Sequence, residues 1–176
     1  MTTRLVEVIE SCVTLDEVKL DLRVDGSEDD SGIERMIESA SLSAGSVMNR
    51  AAALCQWELL LPAFPNSAIR LLHPPVRRII SVKYRDQNGD LQTLSEYSID
   101  ATVEPNLLTG EWPHEATDVR VIYQSGWGES APAPVKQWIR LQVGHFYRNR
   151  EAATEKSMGP LAFLDALLHP YKLWEI

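Results

Sequence analysis

The sequence predicts an α+β protein. Its helices are an N-terminal helical hairpin, a third long helix and a C-terminal helix, and an antiparallel β-rich stretch lies between the hairpin and the third helix. Three observations predict this class. Apolar residues recur at spacings of three, four and seven over residues 14–50, and again over 132–150 and 160–176. Between residues 55 and 127 they give way to short runs rich in β-branched and aromatic residues, parted by Gly, Pro and Asn. The 176 residues suit a single domain, 1–176, long enough to bury a sizeable core.

The hairpin, 14–50, starts at "TLDEVKLDLRVD". Thr14 and Glu17 fit a capping box, in which hydroxyl and carboxylate satisfy each other's free backbone amides. Leu15, Val18 and Leu22 then form one apolar stripe, and Asp25-Gly26 ends the helix. In "SEDDSGIERMIESASLSAGSVMNR", the acids Glu28, Asp29 and Asp30 favour the positive end of a helix dipole. Ile33, Met36, Ile37, Ala40, Ala44 and Val47 share a face. Gly32 and Gly45 weaken this second helix, each by about 1 kcal/mol against alanine, so tertiary contacts have to hold it.

The β-rich stretch, 55–127, contains "QWELLLPAF", "AIRLLH", "IISVKYRD", "LQTLSEYSID" and "DVRVIYQSGW". Asn88-Gly89 tolerates the positive φ angles of a tight hairpin turn, so "SVKYRDQ" should pair with "DLQTL". Pro74-Pro75 cannot lie in a central strand. "EPNLLTGEWPHEATD" reads as a long loop with at most a short strand inside. In the third helix, 132–150, Val135, Trp138, Ile139, Gln142, Val143 and Phe146 mark one face, with prolines near the first turn. After a polar stretch, Leu161, Leu164, Leu167 and Leu168 recur at helical spacing until Pro170 stops the last helix. The first thirteen residues carry acids and no apolar block of the signal-peptide kind, so synthesis in the cytosol is expected. No apolar run approaches the roughly 18–20 residues of a membrane helix.

The residues offer little to chemistry. Ser125-Gly126-Trp127-Gly128 has the glycines of a phosphate loop. It also holds a bulky tryptophan, then Glu129, then two prolines without amides, so it reads as a joint between strand and helix. None of His73, His114, His145 and His169 stands at ligand spacing from another histidine or a cysteine. Cys12 and Cys55 read as two buried thiols. The Glu28-Asp29-Asp30 cluster lacks the alternating ligands of a calcium loop. No serine elbow is present. Catalytic, metal and cofactor sites are all expected to be absent.

Lys136, Arg140, Arg148 and Arg150 leave the third helix basic, with the first three near one face. Either this is a nucleic-acid stripe, using residues 134–150, or it is a salt-bridging face against an acidic neighbour. The formal charge of −8 favours the second. The tail "YKLWEI" is unusual for a chain end, since it gathers Tyr171, Leu173, Trp174 and Ile176. Aromatic anchors of this kind mark contact sites.

Taken in order, "VTLDEVKLDLRVDGSEDDSGIERMIESA", "QWELLLPAFP", "IRLLHPPVRRIISVKYRDQNGDLQTL", "VRVIYQSGWGESAPAPVKQWIRLQVGHFYRNRE" and "LLHPYK" cover most of the chain. Together they resemble the head–tail connector, or adaptor, proteins of long-tailed bacteriophages, prophages and gene transfer agents. One departure is the serine-rich second helix, with Gly32, Ser39, Ser41, Ser43 and Ser46 where relatives tend to alanine. The resemblance implies a helical core with a β-rich insertion, in a structural virion protein of the neck that assembles with itself into a ring, commonly twelve-fold. Such a ring joins the portal protein to a stopper, tail-completion or tail protein, and packaged DNA passes through it without sequence-specific binding. It implies neither enzymatic activity nor membrane contact. On this reading Leu164, Leu168, Tyr171, Leu173, Trp174 and Ile176, within a C-terminal helix and tail at 160–176, dock on the portal or on a neighbouring subunit; the alternative is that this segment packs onto its own domain. Lys136, Arg140, Arg148 and Arg150 form a charged ring or channel face. The alternatives are a stopper or tail-completion role in the same neck, and a DNA-binding protein using the third helix.

Overall fold

The computed structural model describes residues 1–149 and 162–174. The chain is α+β and divides into two compact units. One comprises Met1–Ile9 and Leu54–Gly126, the other Glu10–Ala53 and Trp127–Ile176.

The first unit holds eight strands: β1 (Thr2–Glu10), β2 (Leu54–Ala63), β3 (Ile69–Arg70), β4 (Val76–Arg85), β5 (Leu91–Leu94), β6 (Tyr97–Asp100), β7 (Leu107–Gly110) and β8 (Thr117–Ser125). They form a five-stranded sheet, β1-β2-β8-β4-β5, and a three-stranded sheet, β3-β7-β6. Alternation decides which residues face the core. Leu59, Val121, Val82 and Leu94 lie side by side across four strands of the larger sheet, and Ile69, Leu108 and Ile99 across the smaller. All seven belong to one apolar cluster. One residue further along, Leu60, Arg120, Lys83 and Thr93 occupy the other face of the larger sheet. Tyr123, fully buried, donates its hydroxyl to the Leu72 carbonyl at 3.0 Å.

The β4–β5 hairpin forms as its Asn-Gly signal predicts, but its turn is one residue longer than the two-residue kind. Asp86 N donates to Asp90 O and Gly89 N to Asp86 O, both at 3.0 Å, so Gln87, Asn88 and Gly89 make the loop. Gly89 has φ +83° and Asn88 is not left-handed. The Asp86 carboxylate accepts from the amides of Asn88 and Asp90, which favours this wider loop.

The second unit contains α1 (Leu15–Leu22), α2 (Asp30–Met48), α3 (Ala133–Arg148) and one helical turn, α4 (Ala162–Asp165). The capping box at Thr14 is present in both halves. Both hairpin helices close with the paired bonds of a Schellman turn. In α1, Val24 N reaches Lys19 O and Arg23 N reaches Leu20 O; in α2, Arg50 N reaches Gly45 O and Asn49 N reaches Ser46 O. Arg23 and Asn49 are left-handed there, at φ 58° and 55°. Val18, Ile33, Ile37, Ala40, Ala44 and Met48 meet Val135, Trp138, Ile139 and Val143 of α3 in one core.

Two elements differ from the sequence reading. Residues 2–10, left without an element there, form β1. Its alternation is blurred because Leu5, Val6 and Ile9 are all exposed. The C-terminal helix is also broken. Within the described residues it amounts to α4 and a 3₁₀ turn at His169–Tyr171, and Pro170 sits at the start of that turn, where a missing amide costs nothing. Leu161 lies outside the described residues.

Candidate functional site

Within the helical unit, the charged residues of α3 meet those of the hairpin. Arg140 donates through Nε and Nη2 to the two oxygens of Asp21 on α1, each at 2.5 Å. A planar guanidinium matches a carboxylate in this forked way, which holds the Arg140 pKa above its usual value. Lys136 and Arg140 also help lower the Glu17 pKa, although the larger cause is the hydrogen bond from the Thr14 amide. Lys19 reaches Asp30 at 2.6 Å and joins α1 to α2. Tyr147 donates its hydroxyl to Asp29 at 2.6 Å, fixing α3 against the start of α2. Of the four basic residues marked in the sequence, then, Arg140 faces an acidic neighbour within its own chain. Among the described residues Lys136 and Arg148 have no ion pair, and Arg148 is exposed. Arg150 lies outside the described residues.

The tail is hooked onto the end of α2. Leu173 N donates to Met48 O at 2.8 Å, Asn49 Nδ2 to Leu173 O at 3.0 Å, and Arg50 Nε to Tyr171 O at 2.6 Å. The first of these uses a carbonyl of the helix end, where the last carbonyls lack intrahelical partners. Leu164 and Leu168 are buried in the core of this same unit, with Tyr171 half-buried against it. Neither leucine therefore offers free surface, and Leu173 is half-buried. Trp174 differs: it is 58% exposed. The His169 ring meets it edge-on at 5.3 Å and Lys172 Nζ lies 4.7 Å from its ring centre. Ile176 lies outside the described residues.

The glycine turn keeps its amides for the backbone. Trp127 N and Gly128 N both donate to Ala52 O, at 3.1 and 3.0 Å. Gly126 and Gly128 adopt φ 118° and 55°, which side-chain-bearing residues avoid. In the β unit, His73 stacks on Trp57 at 3.9 Å, and burial pushes its pKa down. Among the described residues no group of three or more His, Cys, Asp or Glu could hold a metal ion. No helix among them is long and apolar enough to cross a membrane.

Sequence reasoning missed the residues that hold these groups: Asp21, Asn49 and Arg50. Asp21 was findable, four residues beyond Glu17 and so on the same side of α1. Asn49 and Arg50 act through backbone carbonyls distant in sequence, for which no local signal exists.

No protein-family model matches the sequence, and no curated protein matches it. Solved structures do match in fold, among them three chains of gene transfer agent particles. A chain in the virion of a native gene transfer agent (GTA) particle superposes with a TM-score of 0.80 at 15% identity. A chain in the neck of an empty GTA particle, computed with C6 symmetry, gives 0.80 at 16%. A chain in the neck of a native GTA particle, computed with C12 symmetry, gives 0.78 at 16%. Each match covers 100% of this chain and 97% of the other. This chain thus has the fold of those chains along its whole length.

Proposed function

We propose that this chain is a structural neck protein of a phage-like particle. Copies of it form a ring between the portal vertex of the head and the tail or the next completion protein, and DNA passes through the ring without sequence-specific contacts. One observation carries the reading: the end-to-end likeness in fold to chains of GTA particles, two of them in necks computed with C6 and C12 symmetry. The chemistry on the page supports it. The forked pair of Arg140 with Asp21 braces one helix against another, and the amides of Trp127 and Gly128 are taken up by the Ala52 carbonyl. Binding DNA through α3 would draw on Arg140, which Asp21 already holds, in a chain of net charge −8.

Within this role the tail is the docking element, and its contact narrows to Trp174. The leucines behind it hold the segment in place, while the exposed indole is the kind of anchor that buries in a partner's pocket. Particles produced without this chain should carry heads that fail to join tails. Supplying the wild type should restore joining, and supplying Trp174→Ala should restore it poorly. Normal tail joining without the chain would end the neck reading. Full rescue by Trp174→Ala would end the docking role alone.

A further inference from the structure

The five-stranded sheet stops on both sides, with β1 at one edge and β5 at the other. An edge strand presents a row of free backbone N–H and C=O groups. Proteins that work alone blunt such edges with very short strands, charged side chains, proline, bulges or a covering element. β1 runs nine residues without proline or glycine, and its charges are Arg4, Glu7 and Glu10. Its Leu5, Val6 and Ile9 are exposed by 36%, 49% and 43%, and Arg4 is drawn to Glu58 of β2. The far edge is similar in kind. β5 reads Leu-Gln-Thr-Leu and carries no charge, and Leu91 is 56% exposed. It covers only Val82–Arg85 of the ten-residue β4 and leaves Ile80 exposed beside the step. Among the described residues no further strand lies beside either edge.

We propose that these edges are the two halves of a head-to-tail contact between copies of this chain. β1 of one copy pairs with the β4–β5 edge of the next, so that one sheet continues from subunit to subunit. The occupant of a strand edge is an extended backbone, because that satisfies the edge's free groups. A second copy is the occupant that the structure favours. The same sheet supplies both halves, and a closed ring is built from two different patches on each copy. The inference rests on the ring reading and adds the surface through which the copies join.

Cross-linking the full-length chain tests it. Val6→Cys and Thr93→Cys place one thiol on each edge, and Cys12 and Cys55 are buried and stay silent. Treated with a short bis-maleimide under conditions where the ring assembles, the double variant should give a ladder of multimers. Wild type and both single variants should give only monomer. A ring that forms while the double variant yields no ladder would overturn the edge contact and leave the ring reading intact. Dimers from Val6→Cys alone would overturn it too, since β1 would then meet β1. A β1 thiol that cross-links to another particle protein would give that edge a different occupant and also refute the proposal. A wild-type chain that never assembles, alone or on portal-bearing particles, would remove the ring reading and this contact together.

Discussion

At the level of single residues, the cap on α1 is a reciprocal pair of hydrogen bonds. Thr14 N donates to the Glu17 carboxylate at 2.8 Å, and Glu17 N donates to the Thr14 hydroxyl at 3.2 Å. Both residues are solvent-facing, so the effect is local and measurable. Thr14→Ala should cost about 1 kcal/mol at neutral pH. The charge half has a defined pH signature. Glu17 is held below its ordinary value of 4.5, so its stabilisation is present above that value and is lost as pH falls through the lower folded-state value. Urea unfolding of wild type and Glu17→Gln across acid pH should therefore show a gap that closes on acidification. A gap that widens as pH falls would contradict the assignment. Sequence spacing alone revealed this cap, because a capping box lies within four residues of chain. The Arg140–Asp21 pair was half legible: the basic face showed, but its partner lies 119 positions away in sequence.

At the level of elements, the two glycines of α2 separate what composition treats alike. A Cβ at Gly32 would meet nothing within 4 Å, whereas at Gly45 it would fall 2.7 Å from the Arg50 carbonyl oxygen. Gly45 accordingly lets the chain fold back closely in the Schellman turn, while Gly32 has no such reason. Gly32→Ala should stabilise the protein by up to about 1 kcal/mol through helix propensity. Gly45→Ala should destabilise it, because a backbone atom has to move. Thermal unfolding of the two variants should give melting shifts of opposite sign, and shifts of equal sign would refute the distinction. The helical hairpin and α3 were legible because each buries one stripe at helical period. β1 was not: its exposed apolar side chains leave no clean alternation to read. The broken C-terminal helix was hidden for a related reason. Leu164, Leu168 and Tyr171 are placed by contacts with the core of the helical unit, and leucine spacing reads the same in a continuous helix and in a turn followed by 3₁₀.

For the whole molecule, the chain has two compact units, each with its own apolar core. The distribution of surface features fits the proposed neck role. Internal ion pairs occupy Asp21, Asp30 and Arg140, while open strand edges and one exposed tryptophan face outward. The fold class was readable from period changes along the chain. Its likeness over the full length to chains of GTA particles came from the three-dimensional arrangement, since at 15–16% identity few individual residues coincide. The central claim is that copies of this chain close into a ring at the head–tail junction. It is tested most directly by the mass and rotational symmetry of the full-length protein bound to portal-bearing particles. The account predicts a closed ring of identical subunits, on the sixfold or twelvefold axis of such necks. A single copy bound per particle, or copies scattered without a common axis, would contradict it.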